Sequence, residues 1–238
     1  IESRAAGGTE WQLHAQAEVG TCKERAPAPL RLDEIAARMG APQIAIAGQS
    51  LDTLHARHLR FGPRWNVLRK MCFGANEALA ELELPSDFEA DLGRYALHPA
   101  LLDLATGFAT PLIEGYTGAE FYAPMSYERV RVFAPMPARI VSWVRGAQPN
   151  QVGKEVAVFD VVIADESGRV IAQVEGFAIR KLAADAVLTR ASSARKPSSS
   201  AHGADAHGES AHRTEAERLF RRSYELGIRP HEGMEALD

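Results

Sequence analysis

The sequence predicts an α+β fold in which an antiparallel sheet wraps around one central helix. Residues 98–113 place apolar side chains at helical spacing and predict a buried helix. Runs typical of strands lie on both sides of it, and the ESGR segment at 166–169, with Gly168, is typical of a hairpin turn between the last two runs. The strand candidates span 66–73, 77–84, 126–133, 139–145, 155–165 and 170–180.

The composition limits the class of protein to which the chain can belong. The 238 residues are 46% hydrophobic and 24% charged, which is ordinary for a globular protein with a sizeable core. A formal net charge of −4 gives no reason to expect nucleic acid or an anionic membrane as partner. No apolar run approaches the roughly 18 residues of a membrane span, and no export signal is present. We therefore predict a cytoplasmic protein, in which Cys22 and Cys72 are free thiols rather than a disulfide.

The N-terminal part predicts one strand and a connector. Residues 10–19 alternate apolar and polar side chains, as a half-buried strand does. A lone strand is not stable, so we expect its partners to precede residue 1 in a longer chain, of which this sequence is a piece. Residues 21–43 are predicted to connect this strand to the main domain, with a short helix at Leu32–Met39 that ends at Gly40.

The main domain is predicted to span 44–184. Residues 50–60 are typical of a helix that Ser50 caps, and Gly62 and Pro63 interrupt the pattern that follows it. The run at 155–165 is apolar on both faces, so we place it in the centre of the sheet.

The C-terminal part predicts a linker and a second helical segment. Residues 185–212 are rich in Ser, Ala, Gly and His and cannot offset the entropy of ordering, so we predict a flexible linker. Its histidines, His202, His207 and His212, lie in a segment that is predicted to be flexible, which disfavours a metal site. Residues 213–238 begin with a capping box, Thr214 and Glu217, and predict a helical segment leading to a following domain.

The central helix has a distinct apolar pattern. Pro99 suits a first helical turn, and Pro111 is expected to end or kink the helix. Leu102 adds a second apolar side, so we expect burial nearly all round. The inner stripe comprises Leu101, Leu104, Ala105 and Phe108. One helix wrapped by antiparallel strands is the hot-dog arrangement.

Asp103 lies in the middle of this apolar helix. Burying a carboxylate is unfavourable unless it is paired, hydrogen-bonded or protonated. Two interpretations stay open: the side chain points to the rim and caps another group, or it is tuned for proton transfer at the mouth of an apolar tunnel.

Three segments resemble polyketide synthase dehydratase domains. They are FGPRW at 61–65, YALHPALLDLATGF at 95–108 and DESGRVIAQVEGFAIRKL at 165–182, in the family's order. The resemblance covers about 45–182. It implies a double hot dog in which this chain supplies the second, C-terminal half, and residues 1–20 are the last strand of an incomplete N-terminal half.

The resemblance also implies a lyase mechanism. A histidine of an HxxxGxxxxP motif in the N-terminal half removes the α-proton of a 3-hydroxyacyl thioester, and Asp103 protonates the leaving hydroxyl. The chemistry needs both because the α-proton is weakly acidic and hydroxide is a poor leaving group. The substrate is carried on the phosphopantetheine of an acyl carrier protein, and no bound cofactor is expected.

This chain departs from the family's pattern at three places. The HxxxGxxxxP motif is absent from the sequence, and His14 lies in the predicted strand, where a sheet-surface histidine is the favoured interpretation. The family has Gln or His four residues after the aspartate, where this chain has Gly107, with Thr106 beside it as a substitute donor. Phe61 replaces a tyrosine, so a hydroxyl has been lost.

Other candidate substrate-binding residues flank the helix. Tyr95, His98 and Pro99 precede or begin it, and a structural anchor is the favoured interpretation of His98. Gly62 and Pro63 are expected to shape the pocket through the backbone.

The remaining residues near these motifs favour structural roles. Arg64 is interpreted as a solvated surface arginine rather than a phosphate contact, and Trp65, Phe121 and Trp143 as core rather than tunnel lining. No Gly-rich phosphate loop is present, and no His and Glu residues have the spacing of a metal site.

Three functions remain open. The first is a dehydratase completed by the missing half; the second is a related isomerase or cyclase acting on carrier-bound polyketides. The third is a non-catalytic relict hot dog that docks other domains. Expected partners are the acyl carrier protein, to which the tail at 227–238 is expected to lead, and other synthase domains including the missing half. A homodimer is left open.

Overall fold

A computed structural model of the chain describes residues 1–4, 9–45, 49–51, 61–147 and 155–182. The strands are β1 (Glu2–Ser3), β2 (Gln12–Leu13), β3 (Gln43–Ile44), β4 (Leu68–Phe73), β5 (Glu77–Glu83), β6 (Phe121–Ser126), β7 (Arg129–Val132), β8 (Arg139–Gly146), β9 (Val156–Ala164) and β10 (Val170–Leu182). The α-helices are α1 (Leu32–Ala36) and α2 (Pro99–Gly107), and 3₁₀ turns occupy Pro63–Trp65, Ser86–Gly93 and Thr110–Leu112.

Eight of these strands form one antiparallel sheet. Its order is β3-β4-β5-β8-β9-β10-β6, and β7 also pairs with β10. The predicted central position of the 155–165 run is confirmed, because β9 lies between β8 and β10. The predicted hairpin turn is confirmed as well. Gly168 has a φ of +85° there, and its N–H donates to the Asp165 carbonyl at 2.9 Å.

Helix α2 lies against β5, β8 and β9, so the sheet wraps around it as the sequence predicts. The inner stripe is confirmed: Leu101 and Ala105 have no exposed surface and Phe108 has 1%. Leu102 is only half-buried, so the expectation of burial nearly all round is wrong on that side. The exposed side is open because no described strand crosses it.

Helix α2 ends at Gly107, and Pro111, which the sequence predicts to end or kink the helix, lies in the separate 3₁₀ turn. The last carbonyls of a helix lack intrahelical partners, and side chains supply them here. The Ser142 hydroxyl donates to the Ala105 carbonyl at 2.7 Å, and the Thr110 hydroxyl donates to the Gly107 carbonyl at 2.9 Å.

The Ser142→Ala variant is expected to lower the free energy of unfolding by about 1–3 kcal/mol. Ser142 is completely buried, so its loss leaves the Ala105 carbonyl without this donor and away from water. Urea denaturation measures the change. Ser126→Ala, on the exposed part of β6, is the control, and equal effects of the two substitutions would contradict the argument.

Helix α1 covers the outer face of the sheet. Ile35 packs there with Cys72, Leu79 and Val141, which point away from α2. The predicted helix at Leu32–Met39 is confirmed in a shorter form, because 37–39 continue as turns. Cys72 is a buried free thiol and Cys22 an exposed one, as predicted.

Strand β10 changes phase at Gly176. On β9 the core residues Phe159 and Val161 are two positions apart, but their partners on β10, Phe177 and Val174, are three apart. The extra residue is a β-bulge. Gly176 adopts a φ of +62° there, and its N–H donates to the Asp160 carboxylate at 3.0 Å. The bulge directs Phe177 toward the α2 side of the sheet.

Two strand predictions are wrong in extent. The strand predicted at 10–19 is reduced to β2, which pairs with β1, and Trp11 is 62% exposed. The two-stranded ribbon is too short to bury a face, although the His14 ring does contact the Ser3 hydroxyl. The strand predicted at 126–133 is confirmed only as β7, and β6 lies before the predicted range except for its last residue, Ser126. The chain turns at 127–128, between these two strands and beside the β10 bulge.

Several predicted segments lie outside the described residues. These are most of the helix at 50–60, the linker at 185–212 and the helical segment at 213–238. Among the helices that the structure does describe, none has the length and apolar character needed to cross a membrane.

Candidate active site

A cleft opens between α2 and the β6–β10 side of the sheet. Its empty volume, including the open mouth, is about 520 Å³. Its walls are mostly apolar, and Asp103 is the one carboxyl group among the described residues that line it. The lining consists of Phe61, Asp103, Leu104, Thr106, Gly107, Thr110, Phe121, Tyr122, Pro124, Phe177 and Ile179.

The Asp103 carboxylate is partly buried in this cleft. Its Oδ2 atom accepts a hydrogen bond of 2.8 Å from the indole Nε1–H of Trp65. Burial raises the pKa of Asp103 above its ordinary value, and the hydrogen bond from Trp65 opposes that rise. Among the described residues no Lys or Arg forms a salt bridge with this carboxylate. The site therefore favours the protonated form of Asp103 more than water does.

The Asp103→Asn variant is expected to be more stable than the parent chain at about pH 7 and equally stable at about pH 3. A raised folded-state pKa means that the folded chain binds this proton more tightly than the unfolded chain. The stabilisation is complete below the ordinary value of 3.8 and is lost as the pH rises through the folded-state pKa. Asparagine has no charge to desolvate.

Thermal unfolding of both chains between these pH values measures the difference. Among the described residues, the Tyr127 phenol is a second titratable group that interacts with Asp103, and it stays neutral over this range because its pKa is raised. A variant that is less stable than the parent at neutral pH would contradict the assignment of Asp103 to a desolvated position.

Tyr127 brings a phenol next to the carboxyl. It follows β6 directly, and its ring stacks on Phe177 with centroids 4.9 Å apart. Burial raises the pKa of Tyr127, a hydrogen bond with the Thr106 side chain opposes the rise, and the Asp103 charge adds to it. The structure thus places a hydroxyl near Asp103, although Phe61 carries none.

Thr106 and Gly107, two of the residues predicted to bind substrate, both line the cleft. The Thr106 hydroxyl contacts the carbonyl oxygens of Leu102 and Asp103, each at 3.1 Å. It is therefore bound to the helix backbone, and the donor to the Asp103 carboxylate is Trp65 instead. Gly107 leaves open space, since a Cβ there would meet no atom within 4 Å.

The FGPRW segment positions the indole. Pro63–Trp65 form a 3₁₀ turn in which the Trp65 N–H donates to the Gly62 carbonyl at 3.0 Å. Gly62 and Pro63 are exposed and shape this turn without lining the cleft. The Phe61 ring lies nearly parallel to that of Trp65, with centroids 6.2 Å apart.

Arg64 is exposed at the surface, as the sequence interpretation favours, and it forms an ion pair there. Its Nε atom lies 2.8 Å from Asp91 Oδ2, and its guanidinium lies 4.5 Å above the Phe88 ring. Arg64 lowers the pKa of Asp91, and a hydrogen bond with His98 lowers it further. This ion pair thus attaches the Pro63–Trp65 turn to the Ser86–Gly93 segment.

Tyr95, His98 and Pro99 do not line the cleft. Only 2% of the His98 side chain is exposed, and its Nε2 atom lies 3.7 Å from Asp91 Oδ2. Tyr95 is exposed and packs edge-on against it, and Pro99 begins α2. This geometry agrees with the structural interpretation of His98.

The sequence interpretation misses several aromatic residues at the site, including Tyr122 and Phe177 in the cleft wall. Phe121 lines the cleft rather than the core, and Trp65 packs against the core but also binds Asp103. The sequence interpretation does not identify Tyr127 as a candidate residue. The available signal for Trp65 is its indole N–H, which usually requires a hydrogen-bond partner when the ring is buried. Tyr127 is 42% exposed and gives no such signal.

The cleft offers an acid in an apolar setting. A general base, such as a histidine or a second carboxylate, is not found among the described lining residues. No group of three or more His, Cys, Asp or Glu side chains is placed to hold a metal in the part of the chain that the structure describes.

Sequence comparison gives a family match. Residues 31–189 match the family described as "Polyketide synthase dehydratase N-terminal domain". That description names the first half, so our assignment of the chain to the second half stays a prediction. Polyketide synthase PksM of Bacillus subtilis is 29% identical over 129 residues, 52% of this chain and 3% of the relative. Polyketide synthase GfsA of Streptomyces halstedii is 29% identical over 198 residues, 81% of this chain and 2% of the relative.

Comparison with solved structures supports the hot-dog fold. A trans-AT polyketide synthase dehydratase domain from Brevibacillus brevis superposes with a TM-score of 0.58 at 24% identity, over 67% of this chain and 55% of that one. The dehydratase domain from the CurF module of curacin polyketide synthase gives a TM-score of 0.59 at 20% identity, over 76% and 62%. The chain therefore spans somewhat over half of these domains and a small part of the curated relatives.

Proposed function

This chain belongs to the polyketide synthase dehydratase family, and on that premise we propose that it supplies the acid for removing water from a 3-hydroxyacyl chain held on an acyl carrier protein. Asp103 is the proposed acid. The observation that carries the proposal is the position of this carboxyl in an apolar cleft, where burial raises its pKa and where it is the one carboxyl among the described lining residues.

The proposed step balances as an elimination. A base takes the α-proton, the electron pair of that C–H bond forms the C=C bond, and the C–O bond at the β-carbon breaks. The protonated Asp103 gives its proton to the leaving oxygen, so water departs rather than hydroxide. An enoyl thioester and an Asp103 carboxylate remain.

The base is proposed to come from outside the described cleft. The family resemblance implies the histidine of an HxxxGxxxxP motif in an N-terminal hot-dog half. Two solved structures are titled as inactive mutants of the CurK dehydratase, one with a histidine replaced by phenylalanine and one with an aspartate replaced by asparagine. Those titles concern CurK, and they support testing a histidine and aspartate pair for this chain.

The walls of the cleft suit an acyl chain. Apolar contact is offered by Leu104, Phe121, Phe177 and Ile179. The ion pair of Arg64 and Asp91 lies outside the lining of the cleft. An apolar wall favours the hydrocarbon part of a polyketide and keeps water away from the acid, which maintains its raised pKa.

We expect the chain to work within a larger synthase. The matched relatives are polyketide synthases of which this chain spans only 2–3%. The proposed partners are an acyl carrier protein, which presents the substrate on phosphopantetheine, the N-terminal hot-dog half and other synthase domains. No further cofactor is proposed, and a cytoplasmic location and a homodimer remain expectations.

Product analysis of the synthase module that contains this chain tests the proposal. The module is incubated with a 3-hydroxyacyl carrier substrate, and the released acyl group is examined by mass spectrometry and NMR. The expected product has lost one water and has its double bond next to the thioester. A shifted double bond or a cyclic ether would assign the chain to an isomerase or a cyclase, and unchanged substrate would assign it to a non-catalytic role.

A further inference from the structure

We propose that Trp65 is the positioning residue of Asp103, and that its indole N–H determines which carboxyl oxygen carries the transferred proton. The direct observation is the 2.8 Å hydrogen bond from Trp65 Nε1 to Asp103 Oδ2, between residues 38 positions apart in sequence. The effect of this hydrogen bond on turnover rests on the proposed function, whereas the assignment of Trp65 as the donor to Asp103 does not.

The chemistry of the two groups gives the indole its effect. An indole N–H can donate but has no lone pair with which to accept. Asp103 Oδ2 must therefore remain an acceptor in both protonation states as long as the contact is kept. In a neutral carboxyl group the carbonyl oxygen is a stronger acceptor than the hydroxyl oxygen, so the N–H favours Oδ2 as the carbonyl oxygen and Oδ1 as the site of the proton. The same hydrogen bond holds the carboxyl in one rotamer.

The helix itself does not supply this donor. A side chain four residues after Asp103 would lie on the same face of α2, but that residue is Gly107 and has no side chain. The Thr106 hydroxyl is bound to the carbonyls of Leu102 and Asp103. Of the described residues, Trp65 is the one whose side chain is seen to donate to this carboxylate.

A charged clamp holds the indole in place. Asp91 binds Arg64, the neighbour of Trp65, at 2.8 Å and also faces His98 at 3.7 Å. His98 directly precedes Pro99, the first residue of α2. Asp91 thus attaches the turn that carries Trp65 to the start of the helix that carries Asp103. Arg64 is half-exposed, so this ion pair adds little stability; its effect is on orientation.

The chain contains a matched control. Trp143 Nε1 donates to Glu77 Oε2, also at 2.8 Å, on the outer side of the sheet. Arg38 is the main cause that lowers the pKa of Glu77, whereas burial raises that of Asp103. The two indole–carboxylate hydrogen bonds have equal length, but the pKa of Glu77 is lowered and that of Asp103 is raised.

The first experiment follows the indole N–H resonances of the full chain by ¹H–¹⁵N NMR as the pH is varied. The Trp65 resonance, assigned from the Trp65→Phe variant, is expected to shift at a higher pH than that of Trp143. In Asp103→Asn the Trp65 shift with pH should vanish while that of Trp143 remains. A Trp65 resonance that does not respond to Asp103 overturns the proposal.

The second experiment measures the Asp103 carboxyl directly by ¹³C NMR. Trp65→Phe keeps an aromatic ring but removes the donor, so the pKa of Asp103 is expected to rise further. Trp143→Phe should leave it unchanged. Equal effects of the two substitutions, or no rise in Trp65→Phe, overturn the proposal.

A rescue variant separates donation from packing. Gly107 has open space around it, so Trp65→Phe combined with Gly107→Gln is expected to offer an amide donor from the next helical turn and return the pKa of Asp103 toward the parent value. Trp65→Phe with Gly107→Ala adds bulk without a donor and should not. Return of the pKa in both double variants would show a packing effect and overturn the proposal.

In the active module, Trp65→Phe is expected to lower kcat by about tenfold and to change KM by less than about twofold, because one hydrogen bond to a charged group is lost and the cleft walls remain. A change confined to KM would overturn the positioning role. The NMR outcomes do not depend on turnover, so failure of the dehydratase proposal and failure of the Trp65 assignment give different results.

Discussion

The Asp103→Asn variant of the complete dehydratase is expected to turn over a 3-hydroxyacyl carrier substrate about a hundredfold to ten-thousandfold more slowly than the parent. Asparagine has nearly the same shape, and its carbonyl oxygen can still accept the Trp65 N–H. It cannot release a proton at neutral pH, so hydroxide would have to leave unprotonated. The loss should therefore fall on kcat, with KM little changed.

Single-turnover kinetics with mass detection of the enoyl product measures this loss. Asp87→Asn is the control, because Asp87 is an exposed carboxylate on the 86–93 turn and lies outside the cleft lining. Unchanged turnover in Asp103→Asn would reject the acid assignment. The same variant is expected to be the more stable one at neutral pH, so a loss of activity there cannot be ascribed to unfolding.

The Phe108→Ala variant is expected to lower the free energy of unfolding by about 3–5 kcal/mol. Phe108 follows α2 directly, is 1% exposed, and packs against Phe73 with ring centroids 6.3 Å apart. Removing the ring leaves a cavity between the end of the helix and the sheet, because β-strands held on both edges cannot collapse into it.

Urea denaturation monitored by circular dichroism measures this change. Ile44→Ala is the matched control, since it also truncates a large apolar side chain, but one that is 66% exposed on β3. Its effect should stay within about 0.5 kcal/mol. Similar losses in the two variants would contradict the location of the core beneath α2.

The sequence predicts the centre of this fold well because the patterns there are local. The hairpin of β9 and β10 combines two long apolar runs with a Gly168 turn, and the inner stripe of α2 repeats at helical spacing. Each pattern lies within one segment, so its interpretation does not require knowledge of the rest of the chain.

The edge of the sheet is predicted less well. Strand β6 contains Pro124, a residue that argues against a strand in the middle of a sheet. In the structure Pro124 pairs opposite Ile179, and β10 is the one described partner of β6, so the missing N–H faces an edge. Whether a strand lies at an edge depends on the topology, which the segment does not encode locally.

The residues of the candidate site also differ in how well the sequence predicts them. Asp103 is predictable because a carboxylate in an apolar helix conflicts with its surroundings. Its neighbours Trp65 and Tyr127 are not, because each reaches Asp103 from a separate turn of the chain. His98 and Tyr95 lie close to Asp103 in sequence, but His98 faces Asp91, Tyr95 packs against His98, and neither lines the cleft.

The bulge at Gly176 has a consequence for how this strand tolerates changes in length. Side chains alternate between the two faces of a strand, so two residues point to the same face only when an odd number of residues lies between them. A chain shortened by Gly176 alone would still direct Phe177 and Val174 to the same face, as a straight strand. A chain shortened by two residues there would turn Phe177 and Ile179 outward and replace the aromatic wall of the cleft with Arg180. Single-residue gaps are thus compatible with the cleft at this point, and double gaps are not.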